Sequence, residues 1–104
     1  MTDTTFTPES LFAINYEAEE RAHRAGRTFN AGADGYCMAC GRKVRPDALL
    51  IEVDLGGYAM LPGDPRSGTL DSQGFWQVGP ECAKRVLDAD GRKVVRAAMR
   101  NASA

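Results

Sequence analysis

The sequence has no long apolar run, one histidine and only three cysteines. A membrane-spanning helix needs about 20 consecutive apolar residues, and no stretch of this chain approaches that length. Neither a basic stretch nor an apolar signal-peptide core follows Met1. We therefore expect a cytoplasmic chain without membrane contact. Disulfides are rare in that compartment, so a cysteine pair there more often serves metal or redox chemistry.

The common catalytic patterns are also missing. There is no Ser-His-Asp set in a recognisable context, no glycine-rich phosphate loop and no His-Glu-x-x-His. A catalytic zinc keeps an open coordination position and usually sits beside a general base. The His-x-Glu and Cys-x-x-Cys order of a deaminase is absent too. The sequence therefore predicts that the protein is not an enzyme.

The net charge of −1 conceals an alternation of acidic and basic blocks. Acids dominate residues 1–20 and 47–83, whereas bases dominate residues 21–46 and 84–104. If the two basic blocks meet in space, they form a patch that attracts phosphates; the alternative is pairing between blocks on a solvated surface. The candidate partner or nucleic-acid contacts are Arg42, Lys43, Arg45, Arg92, Lys93, Arg96 and Arg100, and a direct nucleic-acid binder would also use Arg21, Arg24 and Arg27.

The first 30 residues predict one amphipathic helix over residues 8–25. Thr7 is the expected N-cap, Pro8 the first helical residue and Gly26 the C-terminal stop. Helical spacing predicts a core stripe of Leu11, Ile14, Ala18, Ala22 and Ala25. A second stripe contains Phe12, Tyr16 and His23, which places the histidine beside two aromatic residues.

The rest of the chain predicts a short antiparallel sheet followed by two helices. We expect strands at 48–55, 58–61 and 74–78, with a hairpin at Gly56-Gly57 and a surface loop over 62–68. A short helix should begin at Gly79-Pro80 and stop near Gly91, and a last helix should cover 92–102. The prediction is thus one α+β domain over 1–104, with a flexible tail at 1–7 and a core at 36–90.

The stretch 37-CMACGRK-43 carries the strongest chemical signal. Two cysteines separated by a two-residue turn can direct both sulfurs at one metal ion, and Gly41 permits the tight turn. Cys82, at the predicted helix start, suits the same ion. We therefore predict a zinc site formed by Cys37, Cys40, Cys82 and, as fourth ligand, His23. Glu81, Asp88 or water are weaker candidates for the fourth position.

Other roles for the cysteines remain open. A second helix-borne ligand would normally follow Cys82 by three residues, but that position is Arg85, which cannot bind a metal. Cys82 could instead be a small core residue. Cys37 and Cys40 could form a redox pair, although such pairs usually begin a helix in a βαβ unit, and none precedes this one.

The segments 37-CMACGRKV-44 and 77-QVGPECAKRV-86 together resemble small zinc-finger-like proteins and domains common in phages, plasmids and bacterial genomes. These proteins pair a CxxCGR knuckle with a later VGPxCA helix start and resemble a treble-clef finger. The resemblance covers about half of the domain and leaves residues 1–30 outside. It implies a zinc-stabilised, treble-clef-like fold with zinc as cofactor.

Three functions remain for such a scaffold. The first expectation is a protein-interaction module, and the resemblance implies a regulator or inhibitor of a host complex such as a CRISPR or other defence system. The alternative is direct nucleic-acid binding through the basic helix 92–100, with Trp76, Phe75 or Tyr58 stacking on bases. An isoelectric point near 5.8 argues against a dedicated nucleic-acid binder. A CxxC redox protein is the third.

Overall fold

The computed structural model describes residues 6–103. Its elements follow the order α1 (Leu11–Arg24), β1 (Leu49–Asp54), β2 (Ala59–Met60), β3 (Ser72–Val78), α2 (Pro80–Val86) and α3 (Ala89–Ser103). The predicted α+β class, with one N-terminal helix, an antiparallel sheet and two C-terminal helices, is confirmed. Residues 1–5 of the predicted flexible tail lie outside the described residues. Among residues 6–103, no helix combines the length and the apolar character that crossing a membrane requires.

Helix α1 begins later than the sequence predicts. Its N-cap is Ser10, whose hydroxyl oxygen accepts a hydrogen bond from the Phe12 amide at 3.2 Å. The predicted cap and start at Thr7 and Pro8 are wrong because the segment before Ser10 is tied to α2: the Glu9 amide donates to the Arg85 carbonyl at 3.0 Å. The helix ends as predicted, with Gly26 in a left-handed conformation at φ 66°.

The core stripe of α1 is confirmed at four of its five positions. Leu11, Ile14, Ala18 and Ala22 are buried, whereas Ala25 lies past the last helical turn and is exposed. Of the second stripe, only Phe12 packs inward. Its ring lies 5.2 Å from that of Trp76. Tyr16 and His23 are exposed.

The sheet has the strand order β2-β1-β3, with both pairs antiparallel. The predicted hairpin is confirmed at Gly56-Gly57, two and three residues after Asp54. The Asp54 carboxylate accepts from the Gly56 and Tyr58 amides at 2.9 and 3.0 Å. The turn docks on α1, because the Leu11 amide donates to the Gly57 carbonyl at 2.7 Å.

The two faces of β1 have different neighbours. Alternation along the strand places Leu49, Ile51 and Val53 on one face, where all three are buried in the main core. Leu50 and Glu52 lie on the opposite face, which meets the C-terminal half of α3 across a cavity of about 450 Å³. Despite its charge, Glu52 is also buried.

The boundary between the last two helices differs from the prediction. Gly91 was expected to end the first of them, but α2 ends at Val86 and Gly91 is buried in the first turn of α3. The cause is a capping interaction: the Asp88 carboxylate accepts from the Gly91 amide at 2.7 Å. The last helix therefore begins at Ala89 instead of residue 92.

Candidate metal centre

The two close cysteines lie on a small β-knuckle. Tyr36 and Lys43 form an antiparallel bridge at its base. Within the loop, the Cys37 amide donates to the Arg42 carbonyl at 2.8 Å, and the Gly41 amide donates back to the Cys37 carbonyl at 2.9 Å. Gly41 has φ 76°, and a β-carbon there would lie 2.9 Å from the Phe29 ring. Only glycine fits this turn without rearrangement.

The knuckle directs backbone amides at the sulfur of its first cysteine. The amides of Ala39 and Cys40 donate to the Cys37 Sγ at 3.4 and 3.5 Å. Such N–H···S hydrogen bonds favour the thiolate, which is the metal-binding form of cysteine. Residues 37–40 form turns and not the start of a helix, an arrangement that favours a metal knuckle over the redox alternative.

The end of β3 brings the third cysteine to the knuckle. The Met38 amide donates to the Gln77 carbonyl at 2.8 Å, and the Gln77 side-chain oxygen accepts from the Gly35 amide at 3.1 Å. Immediately after β3, Gly79 lies against the knuckle: a β-carbon there would lie 3.1 Å from the Val44 Cγ1 and 3.8 Å from the Cys37 Cβ. Cys82 follows in α2. The long separation from Cys40 in sequence is thus closed by antiparallel pairing.

All three cysteines are free, and their Sγ atoms lie within 4.8 Å of one another. In a tetrahedral zinc site with Zn–S bonds of about 2.3 Å, the sulfurs are about 3.8 Å apart. Separations within 4.8 Å are compatible with three corners of such a site. Cys37 and Cys82 are buried and Cys40 is half-buried, which limits competition from solvent water.

The electrostatics of the three sulfurs favour one thiolate even without metal. A hydrogen bond from the Cys82 thiol lowers the pKa of Cys37 to about 5, against the opposing effect of burial, and backbone amides such as that of Gly79 assist. The same hydrogen bond, together with burial, raises the pKa of Cys82. With a metal bound, the protons that remain on the sulfurs would be released, and all three cysteines would be anionic ligands.

Within the described residues, the group of close donor atoms supplies three ligands and leaves the fourth position open. Among residues 6–103, only the three cysteines form a group of donor atoms this close, and His23 is exposed outside it on α1. Asp88 caps α3. Of the weaker candidates, Glu81 lines the cavity beside the cysteines. Arg85, at the position where a second ligand was expected, pairs with Glu9 at 2.7 Å.

The cavity beside the cysteines has a volume of about 430 Å³ and a cationic lining. Its basic side chains come from α1, the loop after it, the knuckle and α2: Arg21, Arg27, Arg42, Lys43 and Arg85. Three thiolates and one divalent ion would carry a net charge of −1, which these basic side chains would stabilise. Arg85 is absent from the predicted contacts, whereas Arg21 and Arg27 are among the residues that the sequence offers to a direct nucleic-acid binder.

The remaining predicted contacts lie around a second cavity. Lys43 belongs to both cavities, and Arg45 and the four basic residues of α3 line the second one: Arg92, Lys93, Arg96 and Arg100. Lys84, which the prediction omitted, joins them from α2. The two basic blocks of the sequence therefore meet in space. None of the three aromatic residues proposed for base stacking lines this cavity.

No protein-family model, curated protein or solved structure matches the chain.

Proposed function

We propose that the chain is a small zinc-binding module that acts by binding a macromolecular partner, without catalysing a reaction. The observation that carries this proposal is the convergence of Cys37, Cys40 and Cys82 within 4.8 Å. Their thiolates are soft ligands, and tetrahedral sulfur-rich sites of this kind select zinc over hard ions such as Mg²⁺.

A structural role for the metal follows from what the three ligands join. Cys37 and Cys40 belong to the knuckle and Cys82 belongs to α2, so one ion links two segments that are distant in sequence. A domain of this size has a limited core, and a metal link adds stability that exists only in the folded state. The metal site therefore supports a rigid binding scaffold.

Chelation tests this structural role directly. The single tryptophan, Trp76, packs against Phe12 and reports on the main core by fluorescence. We expect a strong zinc chelator to lower the midpoint of urea unfolding measured by Trp76 fluorescence, and added zinc to restore it. An unchanged midpoint after verified metal removal would show that the metal does not hold the fold together.

The identity of the fourth ligand is tested by two matched variants. Glu81→Gln removes the carboxylate that lines the cysteine cavity, and His23→Ala removes the imidazole predicted from the sequence. The variant that lowers zinc affinity in a competition titration identifies the ligand. Unchanged affinity in both variants assigns the position to water or to a group of the partner.

A protein partner is the second, more specific candidate, as expected for a regulator or inhibitor of a host complex. Leu50 and Phe75 are exposed beside the cavity between β1 and α3, and Leu61 is exposed nearby in sequence. Exposed apolar clusters of this kind often contact proteins. Co-purification of a host complex that is lost in Phe75→Ser but retained in Tyr16→Ser supports this candidate. Equal loss in both variants contradicts it.

A further inference from the structure

The second cavity is a groove between α3 and the segment after the knuckle, and it concentrates positive charge. It has a volume of about 1000 Å³ and is lined by seven basic side chains and one acidic one, Asp47. Lys43 and Arg45 come from the segment after the knuckle, and Lys84 comes from α2. The other four lie on α3: Arg92, Lys93, Arg96 and Arg100.

Most of these cations are not neutralised by the protein itself. Among the described residues, Lys43, Lys93, Arg96 and Arg100 form no ion pair. Arg45 approaches Asp47 only to 4.0 Å, and both side chains are exposed. Lys84 pairs with Glu81 at 3.6 Å, and both of these side chains are exposed as well. Exposed pairs of this kind contribute little and release their partners readily. The groove therefore presents cations that an external anion can engage.

Several of the acidic residues that balance the total charge are held away from the groove. Glu9 and Glu17 face Arg85, at 2.7 and 3.9 Å. Asp54 and Asp64 both pair with Arg66, at 3.2 and 3.0 Å. The net charge of −1 thus averages over separated surfaces and does not describe the groove.

The arrangement of the charges suits an extended anion. Arg92, Arg96 and Arg100 recur every four residues on one side of α3, which separates successive Cα atoms by about 6 Å along the axis. Together with Lys43 and Arg45 they form a long cationic surface. A free phosphate would engage only a part of it, whereas a polymer with regularly repeated phosphates can engage it all.

The groove also lacks the features of a single-strand site. Its uncharged lining is aliphatic, with Val44, Ala48 and Ala97 among the residues between the cations. Sites for single-stranded nucleic acid stack bases on aromatic side chains, and no aromatic side chain lines this groove. Contact to phosphates without base stacking is typical of duplex backbone binding.

We propose that this groove binds the phosphodiester backbone of a double-stranded nucleic acid. The inference rests on the proposed function, because it names the partner of the zinc-binding module. It also depends on the same geometry, since Lys43, Val44 and Pro80 line both this groove and the cysteine cavity. The metal site fixes the knuckle to α2 and thereby fixes the groove.

Fluorescence anisotropy with the zinc-loaded wild-type protein tests the proposal. The probes are a labelled blunt DNA duplex, the corresponding RNA duplex and a single-stranded DNA of the same length. We expect binding to at least one duplex, weaker binding to the single strand and a steep loss of affinity with salt. If four to seven cations contact phosphates, the slope of log K against log salt should be roughly −4 to −6. The comparison between DNA and RNA duplexes identifies the source of the backbone.

Two single substitutions with the same change in charge separate the groove from general electrostatics. Arg96→Gln removes a groove cation, and Arg24→Gln removes an exposed cation of α1 that lines neither cavity. Loss of one phosphate contact should lower affinity roughly tenfold at 0.1 M salt and reduce the salt slope by about 1. The double variant Arg96→Gln/Arg100→Gln should show roughly twice that change in slope, whereas Arg24→Gln should match the wild type.

Three results would overturn the proposal. The first is no duplex binding by protein whose zinc content and Trp76 fluorescence are those of the folded form. The second is tighter binding to the single strand than to either duplex, and the third is equal weakening by Arg96→Gln and Arg24→Gln. Because zinc content is measured on the same samples, a failure of the groove is distinguishable from a failure of the metal site, which appears as folded protein without zinc.

Discussion

The buried carboxylate of Glu52 gives a prediction that can be worked from the structure in detail. Glu52 lies in the middle of β1 and is only 6% exposed. Its carboxylate accepts hydrogen bonds from the Ser67 hydroxyl, the Ser72 hydroxyl at 2.6 Å and the Gly68 amide at 3.0 Å. One side chain thus fastens the loop between β2 and β3 to the central strand. The perturbation is Glu52→Gln, which keeps the shape and removes the charge.

The expected cost follows from the three hydrogen bonds. Bonds to a charged group contribute about 1.5–3 kcal/mol each and neutral ones about 0.5–1.5 kcal/mol. Glutamine keeps one acceptor oxygen for Gly68 and Ser72, and Ser67 can rotate to accept from the new amide. A neutral amide costs less to desolvate than a carboxylate, which offsets part of this loss. We therefore expect Glu52→Gln to lower the free energy of unfolding by about 1–2 kcal/mol. Glu52→Ala removes every acceptor and should lose about 2–4 kcal/mol.

The pH dependence provides an independent signature. Hydrogen bonds from Ser67 and Ser72, assisted by Gly68, hold the pKa of Glu52 below its ordinary value of 4.5 despite burial. A carboxyl whose folded pKa is lowered contributes stability that is complete above its unfolded pKa and is lost as the pH falls through the folded pKa. The difference between wild type and Glu52→Gln should therefore be full at pH 7 and shrink below about pH 4.5.

Urea unfolding followed by Trp76 fluorescence measures these differences, and limited trypsin cleavage after Arg66 reports on the loop. Glu19→Gln, an exposed glutamate on α1, is the matched control and should change stability by less than about 0.5 kcal/mol. The reasoning is refuted if Glu52→Gln is as stable as Glu19→Gln. A difference from wild type that persists unchanged at acidic pH refutes it equally.

Two further substitutions test how α1 is fixed to the sheet. Gly57→Ala should lower the free energy of unfolding more than Gly35→Ala does. Both glycines have φ near 85°, so the backbone strain is similar. A β-carbon at Gly57 would lie 2.5 Å from the Ser10 hydroxyl, whereas one at Gly35 meets nothing within 4 Å. Thermal unfolding with equal midpoints for the two variants would contradict this packing. Ser10→Ala should lower the free energy of unfolding by about 1 kcal/mol because Ser10 is the N-cap, whereas Thr7→Ala should leave it unchanged. The reverse order in urea unfolding would show that Thr7 is the cap, as the sequence predicts.

The parts of the fold that could be predicted from sequence are those set by local pattern. The apolar spacing from Leu11 to Ala22, the glycines of the hairpin and the alternation in β1 each specify an element without reference to the rest of the chain. The Cys-x-x-Cys turn is local in the same sense, since the glycine whose positive φ it needs, Gly41, follows Cys40 directly.

The misplaced boundaries have tertiary or competing local causes. Pro8 and Glu9 suit a helix start, but the backbone and side chain of Glu9 are bound by Arg85, which is remote in sequence. Gly91 suits a helix stop, but Asp88 three residues earlier is an N-cap and makes the same glycine part of the next helix. The Asp88 signal was present in the sequence and was overlooked.

The basic surface could be predicted from the sequence only on the condition that the two basic blocks meet in space. The sequence shows two basic blocks, and their meeting depends on how β3 returns Pro80 and α2 to the knuckle. The burial of Glu52 could not be predicted either, because a charged residue in a strand ordinarily faces solvent. Its three partners come from the distant loop and from the first residue of β3. The periodicity of the sequence specifies helices and strands, whereas a binding site depends on which helices and strands contact each other.

The most direct test of the account is the metal content of protein purified without added metal, measured by mass spectrometry for the wild type and for Cys82→Ser. Cys82 contributes one of the three gathered sulfurs. The account predicts one zinc per wild-type chain, and a loss of zinc together with a lower unfolding midpoint in Cys82→Ser. Folded wild-type protein that contains no metal, and that takes up none when zinc is supplied, would contradict it.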